Sequence, residues 1–303
     1  MTTFIMMVGV SGSGKSTIAM EYAEKYNAEV FSSDAIRGEI YGDENCQKDP
    51  ARVFEIVHQR VQRALREGHD VIMDATNLSC KRRMAFLKTL KGIPCKKTCI
   101  VVIATPEDIK ERMKYRERKV PMDVVHKQMC QFQCPNYYEG WCEIEVKYTS
   151  TIGESFVSCW NLIRETDVPH DNHHHSLGIY EHMRAAQDYA KEHSKDYEDE
   201  WVAFIHDIGK PRVKIFANSK GEVSTEAHYY GHQNYGAYYS LLLDGAIEDL
   251  ESLRMSLDNA CLVQWHMEHY IRHGQALEKF YEMIGPELTR RLKLLEEADK
   301  AAH

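Results

Sequence analysis

The sequence has no apolar run approaching the length of a membrane span, and its start lacks the layout of a secretory leader. Both absences lead to the expectation of a soluble, cytoplasmic protein with no membrane partner. The nine cysteines are scattered and odd in number. Cys95/Cys99 and Cys130/Cys134 lack the paired C-x-x-C knuckles of a zinc ribbon, so a reduced compartment is expected. Positive charge is also short, with 38 Lys+Arg against 46 Asp+Glu and a net charge of −8. That balance excludes a broad surface coating nucleic acid, but leaves room for a local basic patch that grips one strand end. There is no internal repeat and no low-complexity segment.

The 303 residues suffice for two domains of ordinary size, and 43% hydrophobic with 28% charged residues is a globular composition. Up to residue 149 short apolar runs alternate with amphipathic stretches. "FIMMVGV", "AEVFSS", "DVIMDA", "CIVVIA" and "EIEVKY" read as strands, and "ARVFEIVHQRVQRALREG" reads as a helix closed by glycine. Such alternation predicts a mostly parallel sheet covered on both faces. Residues 150–169 read as a junction. From residue 170 to 303 the strand signal disappears, so the expected architecture is an α/β domain followed by an all-α domain.

"GVSGSGKST" fits the phosphate-loop pattern G-x-x-x-x-G-K-[ST], between a predicted strand and a predicted helix. The glycines Gly9, Gly12 and Gly14 let backbone N–H groups wrap phosphates. Lys15 reaches the β/γ oxygens, Ser16 the Mg²⁺ ion, and Thr17 lies in the first helical turn. The nucleotide is expected to be ATP or another NTP. "SSDAIR" puts Asp34 and Arg37 at the carboxyl edge of the sheet, where open α/β sheets bind ligands. Asp34 could take the proton of an attacking hydroxyl and Arg37 could hold an acceptor phosphate; the plainer alternative is a helix N-cap and a surface arginine. Asp74, ending "DVIMD", is placed as an acid for Mg²⁺ or its water, with capping as its alternative. In "KERMKYRERKVP", Arg112, Arg116, Arg118 and Lys119 read as a basic helix, either a solvated face or a lid over the transferring phosphoryl group.

These four motifs resemble the phage-type polynucleotide 5′-kinase family across nearly the whole first half. The resemblance implies a P-loop kinase with Asp34 as general base, Arg37 on the acceptor's phosphate, and Arg112 and Arg116 in the phosphate-binding lid. The lid "YRERK" departs from the family in carrying charges where a looser, small-residue stretch is usual. Kinases of small metabolites share the loop and the lid.

In the second half, "AFIHDIGKP" sets His206 and Asp207 at the end of an apolar helix, expected to stop at Gly209. A buried carboxylate there needs a positive partner, either Lys210 or Arg212 or a metal ion. His182 falls on the stripe Ile179, Met183, Ala186 and Ala190. His266 falls on the face of Leu262, Val263 and Tyr270, in a helix expected to run from an Asp258 cap to Gly274. Asp299 continues the stripe Leu288, Leu292, Leu295. A shared metal centre would satisfy all of these groups at once, with ligands suited to Mg, Mn, Fe or Zn.

His182, His206-Asp207 and a distant Asp299 resemble the HD-domain phosphohydrolase superfamily. "EAHYYGHQNYGA" and "QWHMEH" resemble the extra histidine motifs of its two-metal members. The resemblance implies one or two divalent ions (Mn, Fe, Zn, Ni or Mg) and phosphate-ester hydrolysis, with His232 and His266 as further ligands. His228 and His269 compete for those places. Lys210 and Arg212 read either as phosphate-holding groups or as surface charges.

A kinase fused to a phosphatase is futile on one atom and useful on two ends of one molecule. The leading expectation is a bifunctional enzyme that heals RNA or DNA ends. It would combine a 5′-hydroxyl polynucleotide kinase with a metal-dependent 2′,3′-phosphatase, with cyclic phosphates as a further candidate substrate, and would hand its product to a separate ligase. The alternatives are a nucleoside or metabolite kinase fused to a nucleotidase, which the acidic charge favours, and an ATP-gated regulatory protein with a structural metal.

Overall fold

The computed structural model describes residues 1–116, 119–173, 176–244 and 250–302. The chain divides into two compact units, residues 1–128 with 135–150 and residues 129–134 with 151–303. Among the described residues no helix is long and apolar enough to cross a membrane.

The first unit runs β1 (Thr2–Val8), α1 (Lys15–Tyr26), β2 (Glu29–Ser32), α2 (Ser33–Tyr41), α3 (Pro50–Glu67), β3 (Val71–Asp74), α4 (Cys80–Thr89), β4 (Cys95–Ile103), α5 (Pro106–Tyr115), α6 (Met122–Met129) and β5 (Glu143–Tyr148). The strands form one sheet in the order β2-β3-β1-β4-β5, parallel throughout. Phe4 to Val8 are all buried, as a central parallel strand covered on both faces requires. The connection from β1 runs past β3 to β2, and the connection from β3 runs the opposite way, past β1 to β4. The carboxyl end of β1 is therefore the topological switch point, and the glycine loop begins there. Ala19 of α1 packs on Ile5, Met7, Ile72, Ile100 and Val102. The predicted long helix is α3, capped by Asp49, with Pro50 in its first turn, and closed by Gly68 at φ 93°.

The second unit contains α7 (Ile152–Glu165), α8 (Ile179–His193), α9 (Tyr197–Ile205), α10 (Lys210–Val213), β6 (Ile215–Ala217), β7 (Val223–His228), α11 (His232–Asp244), α12 (Leu250–Trp265), α13 (Glu268–Ile271), α14 (Gln275–Ile284) and α15 (Pro286–Ala301). It is mainly helical but not all-α, because β6 and β7 form an antiparallel hairpin. The hairpin escapes the pattern because its strands are short and surface-lying, with Ala227 its one buried residue.

Helix ends also differ from expectation. Asp258 lies inside α12, which continues because Leu257, Ala260, Cys261, Leu262 and Val263 need burial on one face. Gly274 caps the start of α14 instead of ending the His266 helix, which stops at Trp265, and Tyr270 is 47% exposed. Helix α9 ends at Ile205, before Gly209, whose φ of −76° is not a left-handed stop. Gly209 is needed for close approach: a Cβ there would lie 2.2 Å from the His232 carbonyl oxygen and 2.8 Å from the Gly236 nitrogen.

One buried ion pair braces the turn after β3. The Arg83 guanidinium donates to Glu139 at 2.8 and 2.6 Å and to the Asn77 and Leu78 carbonyls at 3.0 Å each. Asn77 in turn donates to Met7 O at 2.8 Å, and Gly9 N–H donates to Thr76 O at 3.0 Å, so the pair supports the floor of the glycine loop. Replacing one partner would leave the other charge buried and alone, at a cost of about 3–5 kcal/mol. Arg83→Met should lower the urea midpoint, and adding Glu139→Gln should restore part of it. An unchanged midpoint in the single variant would show the pair to be dispensable.

Candidate active sites: a phosphate loop and a histidine–aspartate cluster

In the glycine loop Gly9, Gly12 and Gly14 take φ of 153°, 84° and 98°, so the loop folds around its own amides. Lys15 opens α1 and donates to Val10 O at 2.7 Å. The Ser16 hydroxyl donates to Asp74 Oδ2 at 2.7 Å, the placement a Mg²⁺-holding pair needs, and Asp74 itself is buried. Thr17 is exposed in the first turn of α1. The Ser13 hydroxyl is buried without a hydrogen-bond partner. An unsatisfied donor and a helix N-terminus in one loop suit a phosphate.

Asp34 does not cap α2. Ser32 does, accepting from Asp34 N at 3.2 Å and Ala35 N at 3.5 Å. Asp74 does not cap α4 either, whose N-cap is Ser79. The Asp34 carboxylate is partly exposed and ion-paired with Arg37, which is buried and whose Nε lacks a partner. Asp74, Asp34 and Arg116 all act electrostatically on Lys15, so the four groups share one neighbourhood.

The basic stretch is not one helix. Helix α5 ends at Tyr115, Arg116 is extended and exposed, and Lys119 lies in coil. Like charges repel along a helix, and Pro121 cannot extend one. Arg118 lies outside the described residues. Arg112, still on α5, donates to Thr149 Oγ1 at 2.8 Å and to Thr149 O, while Thr149 donates to Ser13 O at 2.8 Å. Thr149 and Gln128, whose Oε1 accepts from Ser11 N–H at 2.7 Å, were not legible in the sequence, where they stand more than a hundred residues from the loop.

In the second unit five elements deliver six groups to one buried place. His182 comes from α8, His206 and Asp207 from the turn after α9, His232 from the start of α11, His266 from just beyond α12 and Asp299 from α15. His182 Nε2 lies 3.0 Å from Asp299 Oδ1, 3.2 Å from His206 Nε2 and 3.4 Å from Asp207 Oδ2. On the other side, His232 and His266 face each other at 3.1 Å between Nε2 atoms, at 3.4 and 3.6 Å from Asp207 Oδ1. The two sets, His182-His206-Asp207-Asp299 and Asp207-His232-His266, each have ligand atoms within 4.8 Å of one another and could each hold a metal ion.

The tautomers follow from the main chain. Nδ1–H of His182, His206, His232 and His266 donates to the carbonyls of Ala302, Ala203, Tyr229 and Val263 at 3.2, 2.7, 2.7 and 2.7 Å. All four Nε2 lone pairs are thereby turned inward. Facing lone pairs repel unless a cation or proton lies between them. Neither buried oxygen of Asp207 makes a hydrogen bond, although Lys210 Nζ is 2.6 Å from Oδ2. The residues present fit a divalent ion on both counts.

Titration tells the same story. Burial lowers the pKa of His232 to about 4 and of His266 to about 3. Burial also opposes charge on His206, but the neighbouring carboxylates of Asp207 and Asp299 outweigh it and push it up to about 10. Asp299, despite its burial, is held far below the usual carboxylate range by His182 and His206. The cluster demands positive charge, and a proton on His206 substitutes for it.

The other candidates separate clearly. His228 Nε2 sits 3.3 Å from Ser224 Oγ and the ring stacks on Tyr230, away from Asp207. His269 donates from Nδ1 to His266 O at 2.9 Å and is not in either set. Arg212 pairs with Glu165 on the surface, while Lys210 is buried beside the cluster. His170, unflagged in the sequence, lies with Nε2 3.1 Å from Lys210 Nζ and its ring edge-on to His182. It sits in a histidine-rich loop without periodicity, so no pattern marks it.

Lys15 is the group whose titration has a readable consequence. Burial pulls its pKa down to about 8; Asp74 and Asp34 oppose the shift, and Arg116 adds to it. The cationic form binds phosphate, so it serves in full below pH 8 and must take up a proton above it. Nucleotide affinity should therefore fall as pH rises through 8, by up to about tenfold per pH unit. Displacement of a fluorescent nucleotide between pH 6.5 and 9.5 measures this, and a flat profile would contradict it.

Comparison with known proteins bears on the first unit. Residues 4–135 match the family described as an AAA domain. No curated protein matches the chain. Among solved structures, a putative kinase from Chloroflexus aurantiacus is 15% identical over 53% of this chain and 96% of that one, with a TM-score of 0.41. A chain of the Pnkp1/Rnl/Hen1 RNA repair complex is 24% identical over 43% of this chain and 43% of that one, with a TM-score of 0.39. This chain thus spans less than half of that protein. A gluconokinase from Sinorhizobium meliloti is 19% identical over 50% and 86%, with a TM-score of 0.37. The first half of the chain is a parallel α/β domain with a phosphate loop at the end of β1.

Proposed function

We propose that the chain is a bifunctional end-healing enzyme, a 5′-hydroxyl polynucleotide kinase joined to a metal-dependent 2′,3′-phosphatase. The observation that carries this reading is the presence of two different phosphate chemistries in one chain. Asp34 and Arg37 stand beside Lys15 in one unit, and four inward imidazole lone pairs surround Asp207 in the other. A kinase for an uncharged acceptor such as a nucleoside would need the base but would give an arginine one turn away, 7% exposed, no anion to hold.

In the kinase half the loop amides and Lys15 bind the β/γ phosphates, and Ser16 with Asp74 would hold Mg²⁺. Arg37 leaves Asp34 for the acceptor's 3′-phosphate, which frees the carboxylate to take the proton of the 5′-hydroxyl. The 5′-oxygen forms a bond to the γ-phosphorus, the bond to the β–γ bridging oxygen breaks, and ADP leaves. Arg116, on the extended lid segment, brings charge to the phosphoryl group in transit.

In the hydrolase half His182, His206 and Asp299 would hold one divalent ion and His232 and His266 a second, with Asp207 between them. Bound ions there supply a water of lowered pKa and neutralise phosphate charge. Lys210 contributes a buried positive charge toward the phosphate, and the main-chain carbonyls keep every imidazole in its ligand tautomer. A water oxygen bonds to phosphorus, the ester P–O bond breaks, and the departing sugar oxygen takes up a proton, leaving a 2′- or 3′-hydroxyl and inorganic phosphate.

An oligonucleotide with 5′-hydroxyl and 3′-phosphate ends, ATP, Mg²⁺ and Mn²⁺ should yield 5′-phosphate and 3′-hydroxyl ends. Lys15→Ala should abolish the first change and spare the second, and Asp207→Ala should do the reverse. Either variant losing both activities while folded would break the two-site reading.

Arg37 separates the polynucleotide reading from the small-molecule one that the net charge of −8 favours. A charge-assisted bond to the acceptor phosphate is worth about 1.5–3 kcal/mol, roughly 10- to 150-fold in kcat/KM. Arg37→Ala should lose that factor on a 3′-mononucleotide or oligonucleotide and leave weak nucleoside phosphorylation level. Equal losses on both acceptors would favour the small-molecule kinase.

A further inference from the structure

Residues Met129–Cys134 come from the first half of the sequence yet belong to the second unit. We infer that this six-residue excursion is a positioning element of the second metal-ligand pair, His232 and His266; the inference rests on the two-metal reading above. The segment touches the chain within two residues of both ligands. Asn234 Nδ2 donates to Cys130 O at 2.9 Å, two residues beyond His232. Gly231, immediately before His232, has φ 82° and would place a Cβ 2.8 Å from the same carbonyl oxygen. Gln264, two residues before His266, accepts from Cys134 N–H at 2.6 Å across a sequence gap of 130 residues.

Between these two anchors Phe132 is fully buried and meets Tyr238 of α11 edge to face at 5.4 Å. Cys134 Sγ also reaches Leu257 O of α12 at 3.9 Å. The segment thus grips α11 near its start and α12 near its end. Those are the two elements whose histidines stand 3.1 Å apart at Nε2. His182, His206 and Asp299 are fixed by α8, α9 and α15 among themselves. The dependence should therefore be selective. Loosening the segment should widen the His232–His266 pair and weaken its ion while the other ion stays bound.

The test uses the full chain and Mn²⁺ as the probe, titrated by calorimetry, with Co²⁺ absorption reporting ligand geometry. Wild type should take up two ions. Phe132→Ala and Gln264→Ala should bind the first with unchanged affinity and the second at least tenfold more weakly, with an altered Co²⁺ band for that site. Phe132→Leu, which keeps most of the buried volume, should recover the second ion. Gln264→Ala removes the acceptor and less apolar volume than Phe132→Ala, so it carries the test if Phe132→Ala fails to fold. Two ions bound with wild-type affinity in these variants, or equal loss of both, overturns the inference. A wild type that binds fewer than two ions overturns the two-metal reading itself.

Discussion

Asp207 is 1% exposed and turns both carboxylate oxygens toward imidazole nitrogens, and the second unit is arranged around compensating it. Burying an ionised carboxylate costs several kcal/mol unless positive charge and ligand geometry offset it. His182 of α8 and His206 after α9 answer on the Oδ2 side, His232 and His266 on the Oδ1 side, and Lys210 adds a cation at 2.6 Å, while Asp299 of α15 brings a second carboxylate to the same imidazoles. The main chain takes part as well. By accepting each Nδ1–H, four carbonyls turn four lone pairs toward a point where only a cation or a proton is tolerable. That arrangement would be costly as mere core.

The first unit solves a different electrostatic problem with a different device. A parallel sheet with β1 between β3 and β4 opens a crevice at the carboxyl end of β1, and the glycine loop presents amides there. Asp74, Asp34 and Arg116 then act on Lys15 from one neighbourhood. The Arg83–Glu139 pair, remote from any phosphate, matters because it holds the turn on which that loop rests.

The glycines show how one residue type serves unrelated demands. In the phosphate loop they permit positive φ, while Gly209 permits α10 to meet the start of α11 with no Cβ between them. The second role brings Asp207 within reach of His232. A reading based on turn chemistry alone takes Gly209 for a helix stop and misses the packing.

The sequence by itself determined the parallel α/β unit, the phosphate loop and the residue types of both sites. Buried strands, helical stripes and loop spacing are local patterns, and local patterns survive in one dimension. Asp34, Asp74, His182 and Asp299 were legible because each follows a strand or falls on a stripe. Tertiary structure alone decided which histidines meet Asp207, since His228 and His232, or His266 and His269, differ only in direction once folded. It also revealed Thr149, Gln128, His170 and Met129–Cys134, whose partners lie up to 136 residues away. Surface-lying strands β6 and β7 and the interior position of Asp258 were hidden for a related reason. Neither a half-exposed hairpin nor a capping residue overridden by helix burial leaves a periodic trace.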